Sequence, residues 1–350
     1  MVEHLAKIGG INMKILSRHK SVQSHRLEMG DPWSSYAYTY YRLSTSLQQK
    51  LWYAFGWPRA EAYWPEADVV YCTAESYVPT RQASLAVTLH DAGFFEAEGT
   101  AYRGGRLQAA KWTLLYRRLS RTADLLHTVS NFSAERIAHH FPSIKNRLRV
   151  IHSGVSHRFF EPVPEQGKRE VAEMGLANQT FILVPVGLHY RKGAELILKA
   201  WPRLKANNKD VRLVVVSHND HNYRDQLKEL DSSVVITGFV SDTTLHALYT
   251  SARAVWYPSR YEGFGLPVLE AMACGTPIVA SDTSALPEVG GDAALLVPFD
   301  QEEKHVEALD ALIHNDELYS CHRKRGRKRA GKFTWQRAAN ELYKCFEEVA

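Results

Sequence analysis

Residues 262–270 read Glu-Gly-Phe-Gly-Leu-Pro-Val-Leu-Glu, with one carboxylate on each side of a glycine-rich turn. Pro267 suits the first position of a helix, where its missing N–H costs nothing. Glu262 is therefore expected in a loop, and Glu270 about one turn inside the helix. The unbonded N–H groups and the positive dipole end of a helix start favour an anion such as a diphosphate. The segment predicts a site for a sugar attached to a diphosphate, although it is also typical of an ordinary α/β turn with surface glutamates.

Short apolar runs alternate with helical patterns on both sides of this segment, as in parallel sheets joined by crossover helices. The second half predicts a Rossmann-like domain with strands at Phe181–Val186, Val211–Val216, Val234–Ile236, Ala254–Tyr257, Pro277–Ala280 and Ala293–Val297. Cap residues predict helices over Thr243–Ser251 and Leu266–Cys274, the first capped by Ser241 or Asp242 and the second closed by Gly275. The first half predicts a less regular α/β domain with strands at Met13–Leu16, Val69–Cys72, Leu85–Leu89, Leu125–Val129 and Leu148–Ile151.

The domain boundaries follow from these patterns and from a Pro- and Gly-containing stretch near residues 162–167. We expect an N-terminal domain over 1–160, a C-terminal domain over 161–330 and a final helix over 331–350. Two doubly wound domains place a ligand cleft at the carboxyl ends of their strands. Residues 262–270 follow the strand that ends at Tyr257, so they belong to such an edge.

Composition indicates a folded chain of two ordinary domains. The 350 residues are 45% hydrophobic and 23% charged, which lies within the globular range. The four cysteines are far apart and form no CxxC pair, so neither a disulfide framework nor a zinc ribbon is indicated. No apolar run reaches the roughly 18 to 20 residues of a membrane span, and no signal peptide is recognisable. A cytoplasmic location is expected.

Positive charge is concentrated in the first half. Residues 1–160 hold 20 Lys and Arg against 12 Asp and Glu, a net +8, whereas the remainder has a net charge of −3. The excess includes a possible basic amphipathic helix with cations at Arg103, Arg106, Lys111, Arg117, Arg118 and Arg121. Such a helix could rest on an anionic cytoplasmic membrane face, or its apolar side could belong to the domain core. Nucleic acid is not an expected partner, because no recognised binding motif accompanies the charge.

Two common nucleotide motifs are missing from the sequence. No GxGxxG follows a strand and no GxxxxGK[ST] occurs, which argues against a dinucleotide oxidoreductase and a phosphate-loop NTPase. The run His218, Asn219, Asp220 and His221 could suggest a metal, but it follows a strand where polar loop residues are expected. No metal or other cofactor is predicted.

A longer segment resembles the family 4 retaining glycosyltransferases. It runs from Tyr257-Pro-Ser-Arg-Tyr-Glu-Gly-Phe-Gly-Leu-Pro-Val-Leu-Glu through Asp282, and on to Leu286-Pro-Glu-Val. Further matches in the family's order are Thr88-Leu-His-Asp, Thr128-Val-Ser-Asn, Val150-Ile-His-Ser-Gly, Arg191-Lys-Gly, Thr237-Gly-Phe-Val and Phe333-Thr-Trp. The resemblance implies the GT-B fold, two Rossmann-like doubly wound domains facing a cleft, with a C-terminal helix crossing back to the first domain. It also implies mannosyltransferase-like activity.

The resemblance assigns roles to particular residues. Glu270 would hold the ribose hydroxyls, and Glu262 would contact hydroxyls of the donor sugar. Arg191 and Lys192 would neutralise charge on the departing diphosphate, and His90 would lie near the transferred sugar. Backbone groups in two turns would complete the donor site, with Gly187 preceding the cations: Gly263, Phe264, Gly265 and Leu266 at the sugar diphosphate, and Gly238, Phe239 and Val240 near the base.

The mechanism implied for this family keeps the anomeric configuration and needs no metal. The acceptor hydroxyl attacks on the face that the diphosphate leaves, and a diphosphate oxygen takes the proton. Positioning and cationic stabilisation of the leaving group would supply the catalysis.

Two features depart from the family pattern. Many relatives carry an arginine where this chain has Leu188, so His189 or Arg191 would have to replace that cation. Met13–Leu16 resembles the family's second strand, so the first strand is expected to be missing from the N-terminal domain.

The leading hypothesis is transfer of a hexose to a glycan or lipid-linked acceptor in polysaccharide biosynthesis, with GDP-mannose slightly favoured and UDP-sugars possible. An epimerase or phosphorylase of the same fold is less favoured, because Glu262 and Glu270 follow the transferase pattern. A non-catalytic, nucleotide-binding scaffold is the alternative from a different class.

Overall fold

The structure, a computed structural model, describes residues 1–18, 36–96, 105–216 and 221–350. These residues divide into two compact units. The first unit contains the described residues up to 152 and residues 335–350, and the second contains the described residues from 153 to 334. The change of unit precedes residue 160 because Val155 and Phe159 already belong to the second unit. The Val155 N–H donates to the carbonyl of Phe333 at 2.9 Å, and the ring of Phe159 packs edge-on against Tyr249.

The first unit is built on parallel strands. Four of them form one sheet in the order β3-β4-β5-β6, while β1 and β2 form a separate parallel pair. The strands are β1 (Lys14–Arg18), β2 (Ala37–Tyr41), β3 (Val69–Cys72), β4 (Ser84–Leu89), β5 (Leu125–Thr128) and β6 (Leu148–Val150), and the helices are α1 (Val2–Leu5), α2 (Thr45–Phe55), α3 (Gly105–Thr122) and α4 (Asn131–His140). Strand β2 is an addition to the strands expected from the sequence.

Helix α3 is the basic amphipathic helix expected from the sequence, although Arg103 lies outside the described residues. Its inner face places Tyr116 and Leu119 in the core of the first unit. Its outer face carries Lys111, Arg117 and Arg121 around Leu114, which is 62% exposed. The helix thus supplies core packing on one side and a basic surface on the other.

The second unit contains all six strands expected in this half of the chain. They are β7 (Phe181–Val184), β8 (Arg212–Val215), β9 (Val235–Ile236), β10 (Ala254–Tyr257), β11 (Ile278–Ser281) and β12 (Leu295–Val297). The helices are α5 (Glu165–Glu173), α6 (Ala194–Asn207), α7 (His221–Leu230), α8 (Asp242–Ser251), α9 (Leu266–Cys274), α10 (Leu286–Gly290), α11 (Glu302–His314) and α12 (Asp316–Ala330). Helix α9 has the predicted bounds, because a proline opens it and Gly275 closes it in the left-handed conformation, with φ 78°.

The strand order in the second unit defines one special position. The sheet is parallel throughout, with the order β12-β11-β10-β7-β8-β9. The chain therefore runs outward from β7 to β9 and then returns to place β10 on the other side of β7. A crevice forms outside the carboxyl ends of the strands where the order reverses. That position lies between the turns that follow β7 and β10.

The last helix, α13 (Trp335–Glu347), belongs to the first unit. Its residues Ala338, Ala339 and Leu342 are buried in a cluster with Leu5 and Ile151. None of the helices in the described ranges combines the length and the apolar character needed to cross a bilayer.

Candidate functional site

The turns after β7 and β10 are fixed directly to each other. A short 3-10 helix, Tyr190–Lys192, ends at Gly193, whose φ of 78° lies in the left-handed region. A Cβ atom at Gly193 would lie 1.9 Å from the carbonyl oxygen of Pro258, so only glycine allows this approach. The Arg260 N–H also donates to the carbonyl of Arg191 at 2.8 Å. The two turns therefore form one rigid structure at the point where the strand order reverses.

The carboxylate of Glu262 lies at the centre of this structure. Its Oε1 accepts hydrogen bonds from the Lys192 ammonium, from Ser259 and, at 2.8 Å, from the Tyr257 hydroxyl. Its Oε2 accepts from the Arg191 guanidinium at 3.3 Å. The residue is 7% exposed. The structure thus brings together three of the predicted site residues, which are up to 71 positions apart in sequence.

The charges in this cluster depend on one another. Burial alone would raise the pKa of Glu262, but Lys192 and Arg191, with the hydrogen bond from Ser259, bring that pKa below its usual value. The carboxylate is consequently ionised at neutral pH and holds both cations at the crevice. The Lys192 and Arg191 side chains are only 12% and 20% exposed, so their charges act in partly desolvated surroundings where electrostatic interactions are strong.

The geometry leaves limited room for a further ligand on Glu262. A carboxylate offers about four acceptor positions, and three donors already converge on Oε1. Oε2 has a described side-chain hydrogen bond only from Arg191, so it is the atom suited to accept from a ligand hydroxyl. Lys192 and Arg191 are suited to an anion beside it.

Glu270 lies one turn inside α9 and is half-buried. The Tyr249 hydroxyl, on α8, donates to its Oε2 at 2.8 Å. Burial raises the pKa of Glu270, and the hydrogen bond from Tyr249 opposes that rise. Gly265, with φ 102°, precedes the first residue of α9 and has no side chain to cap the helix. A carboxylate and an uncapped helix start are thus found on the same helix, as the sequence predicts.

Replacing Tyr249 by phenylalanine is expected to lower the free energy of unfolding by about 1 kcal/mol, because one buried hydrogen bond is lost. The pKa of Glu270 should rise further. Since Tyr249 favours the ionised carboxylate, the loss of stability should grow as the pH rises above 4.5. Urea unfolding across the acidic range measures this. Tyr319→Phe, which keeps the ring under Arg253, is the control, and equal losses in both variants would contradict the role of Tyr249.

Gly263, Phe264 and Gly265 form the turn between Glu262 and α9, and Leu266 is the first residue of that helix. The other predicted residues lie on three separate segments. Gly187 follows β7, and Leu188 directly after it is buried in the core of the second unit, so the cation expected there is replaced by an apolar anchor. Gly238, Phe239 and Val240 follow β9 at the same edge of the sheet, with Phe239 strongly exposed.

His90 belongs to the first unit, where it follows β4 at the carboxyl edge of the sheet and is exposed. Its backbone N–H donates to Glu75, and its Nε2 lies 3.2 Å from the carbonyl of Thr73. Three residues of the possible metal-binding run, His218, Asn219 and Asp220, lie outside the described residues.

Three residues with clear roles in this geometry were not singled out by the sequence. Tyr257 and Ser259 hold Glu262, and both stand within the quoted segment at 257–270. Their spacing to the glutamate was the available signal. Tyr249 had none, because its contact with Glu270 joins two different helices.

Two family models match consecutive parts of the chain. "Glycosyltransferase Family 4" matches residues 1–159, and "Glycosyl transferases group 1" matches residues 169–329.

Curated relatives share about 30% of the aligned residues. An O-antigen chain mannosyltransferase B from Escherichia coli is 29% identical over 80% of this chain and 74% of its own length. An MMP alpha-(1->4)-mannosyltransferase from Mycolicibacterium hassiacum is 33% identical over 67% of this chain. A phosphatidyl-myo-inositol mannosyltransferase from Mycolicibacterium smegmatis is 32% identical over 46% of this chain. The matches span 56% and 42% of the latter two relatives.

Solved structures match nearly the whole chain. A glycosyltransferase from Rickettsia africae has a TM-score of 0.71 and covers 99% of this chain and 93% of its own, at 16% identity. HepE from Anabaena, in complex with UDP-glucose, has a TM-score of 0.72 and covers 97% of this chain and 100% of its own, also at 16% identity. At this identity the likeness shows the fold alone, and it confirms the GT-B fold predicted from the sequence.

Proposed function

The chain belongs to the family 4, group 1 glycosyltransferases, and from this premise we propose that it moves a hexose from a nucleotide sugar to a glycan or lipid-linked acceptor, with retention of configuration. The buried contact of Glu262 with Lys192 and Arg191, at the switch point of the second unit, is the observation that carries this proposal. It combines cations for a diphosphate with a carboxylate for sugar hydroxyls.

The roles of the site residues are part of the proposal. Lys192 and Arg191 stabilise the charge that develops on the leaving diphosphate, and Oε2 of Glu262 accepts from a hydroxyl of the donor sugar. Glu270, held by Tyr249, accepts from the ribose hydroxyls. Gly187 precedes Arg191 and Lys192 in the donor site. Two sets of backbone groups complete that site: Gly263, Phe264, Gly265 and Leu266 at the sugar diphosphate, and Gly238, Phe239 and Val240 beside the base.

The reaction breaks the bond between the anomeric carbon and the diphosphate oxygen and forms a bond from that carbon to the acceptor oxygen on the same face. The acceptor proton passes to an oxygen of the leaving diphosphate, so no side-chain base is required. His90 helps to hold the transferred sugar. Positioning and electrostatic stabilisation supply the catalysis, without a metal.

We propose mannose as the transferred sugar and GDP as its carrier, for use in polysaccharide biosynthesis. The names of the three curated relatives described above, all mannosyltransferases, support mannose as the sugar. UDP-sugars are the second donor class. The outer face of α3, with Lys111, Arg117 and Arg121, supports a peripheral contact with an anionic membrane surface, where a lipid-linked acceptor would be reached.

A thermal-shift screen against GDP, UDP and their sugars tests the donor site, followed by assays of sugar transfer and donor hydrolysis. We expect GDP-mannose to stabilise the protein most. Glu270→Ala should weaken nucleotide binding by about tenfold, the effect of losing hydrogen bonds to a charged acceptor. Glu307→Ala, on the exposed side of α11, is the matched control. If no nucleotide stabilises the protein, the proposal fails. Nucleotide binding without sugar transfer or donor hydrolysis would favour the non-catalytic scaffold. That alternative is motivated by Leu188, which stands where many relatives carry an arginine.

A further inference from the structure

Ser284 has an unusual backbone conformation in the turn that follows β11. Within the described ranges it is the one non-glycine residue with a positive φ, 53°. In this left-handed region the Cβ atom crowds the backbone, so residues other than glycine adopt it rarely. Such conformations persist where surrounding contacts enforce them, and they are concentrated at functional sites. The contacts of Ser284 are therefore the place to look for its role.

The turn after β11 holds the backbone of the loop that carries Glu262. The Glu262 N–H donates to Oγ of Ser284 at 2.9 Å. The Ala285 N–H donates to the carbonyl of Glu262 at 3.4 Å, and the Thr283 hydroxyl donates to the carbonyl of Ser259 at 3.0 Å. Three consecutive residues of one turn thus bond to the neighbouring loop, and Ser284 does so through its side chain.

The chain path through Ser284 is fixed from both sides. Before it, the Asp282 N–H donates to the carbonyl of Val297 on β12 at 2.7 Å. After it, the Leu286 N–H donates to the carbonyl of Thr283 at 3.1 Å, and Leu286 is buried at the start of α10. These bonds hold Ser284 in the left-handed region, which is how a costly backbone conformation is retained.

The carboxylate and the backbone of Glu262 are held by different groups. Lys192, Arg191 and Tyr257 bond to the carboxylate oxygens, whereas Ser284 bonds to the main-chain N–H. The side chain between them has three rotatable bonds, so the carboxylate has one defined position only if the backbone is also fixed. Removing the Ser284 hydroxyl leaves the ion pairs in place but releases the N–H of Glu262.

We infer that Ser284 is a positioning residue for sugar transfer, because its left-handed backbone directs Oγ to the Glu262 N–H and so fixes the carboxylate that faces the donor sugar. The inference rests on the proposed role of Glu262 and adds to it a residue that acts through Glu262. Such a residue should affect the rate of transfer more than the binding of the nucleotide, since a small displacement of a catalytic group lowers the rate strongly.

Two substitutions separate positioning from stability. S284A removes the hydroxyl and keeps a Cβ atom in the left-handed region, whereas S284G removes both the hydroxyl and the crowding. S284G should therefore unfold about 2 to 4 °C above S284A. Both variants should nevertheless lose the same catalytic contribution, with kcat about tenfold below that of the unchanged protein and the donor KM changed by less than about twofold. Thermal unfolding and transfer kinetics of the full chain measure these effects.

Amide hydrogen exchange supplies a measurement that does not depend on activity. The Glu262 N–H should exchange about five- to tenfold faster in both variants, because it loses its acceptor. S233A is the matched control. The Ser233 hydroxyl is also half-buried and donates to Asp231 at 2.7 Å, but it lies before β9. S233A should change neither kcat nor the exchange at Glu262.

Three outcomes overturn the inference while the unchanged protein transfers sugar: kcat that rises from S284A to S284G in step with stability, kcat that either variant keeps, or unchanged exchange at Glu262. The first would give Ser284 a structural role alone. An unchanged protein that neither binds a nucleotide nor transfers a sugar would overturn the proposed function, and this inference with it, whatever the exchange at Glu262 shows.

Discussion

Replacing Glu262 by alanine is expected to lower the free energy of unfolding of the second unit by about 3 kcal/mol, because it leaves buried cations without their carboxylate. Lys192 and Arg191 are 12% and 20% exposed and both bind Glu262. The hydroxyl donors Tyr257 and Ser259 lose an acceptor as well. Transfer activity should fall by at least about a hundredfold, since the same residues are proposed to act on the diphosphate.

Urea unfolding and transfer kinetics measure these two effects. Glu303→Ala removes a carboxylate from an exposed pair with Arg203 and should cause no measurable change. Combining Glu262→Ala with Lys192→Met should destabilise less than the sum of the single changes, because the double variant has one fewer unpaired buried charge. Additive losses would show that the two side chains do not depend on each other.

The Glu262 contribution to stability also has a defined pH dependence. The pKa of Glu262 is lower in the folded protein than its usual value of 4.5, because Lys192 and Arg191 outweigh the effect of burial. The ionised side chain therefore stabilises the fold above that pH, and the contribution is lost as the pH falls below 4.5. The difference in stability between the unchanged protein and Glu262→Gln should narrow over the same range.

The second large effect is expected from Gly193→Ala. The new Cβ would lie 1.9 Å from the oxygen and 2.9 Å from the carbon of the Pro258 carbonyl. The turns after β7 and β10 would have to separate, which breaks the Arg260–Arg191 backbone hydrogen bond and displaces Lys192 from Glu262. Steric overlap and a left-handed alanine together should cost about 3 kcal/mol. Nucleotide binding should weaken with it.

Gly238→Ala separates the two causes. Gly238 also has a left-handed φ, 71°, but apart from Gly238 and its two chain neighbours no described residue has an atom within 4 Å of the position that a Cβ would take there. This variant should lose only about 1 kcal/mol, the conformational cost by itself. Thermal and urea unfolding of both variants measure the difference, and equal losses would contradict the steric contact at Pro258.

The second unit could be predicted closely because its signals are local. Strand β10 is a continuous apolar run, and the start and end of α9 are marked by Pro267 and Gly275. Strand β2, Ala-Tyr-Thr-Tyr-Tyr, was not predicted, since its sequence is not an apolar run like those of the other strands, and in the structure it pairs only with β1. The pairing of Glu262 with Lys192, and of Glu270 with Tyr249, depends on which strands and helices become neighbours. Local patterns contain no such information.

The strand order of the second unit has a consequence for donor selectivity. Gly238 follows β9 and Glu262 follows β10, and β8 and β7 lie between these two strands. At about 4.8 Å per strand, the two turns are separated by roughly 14 Å. The groups proposed for the base therefore lie on one side of β7, after β9, and those proposed for the sugar lie on its other side, after β10. Substitutions in the turn at 238–240 should change which nucleotide is preferred, while the residues proposed to bind the sugar keep their geometry.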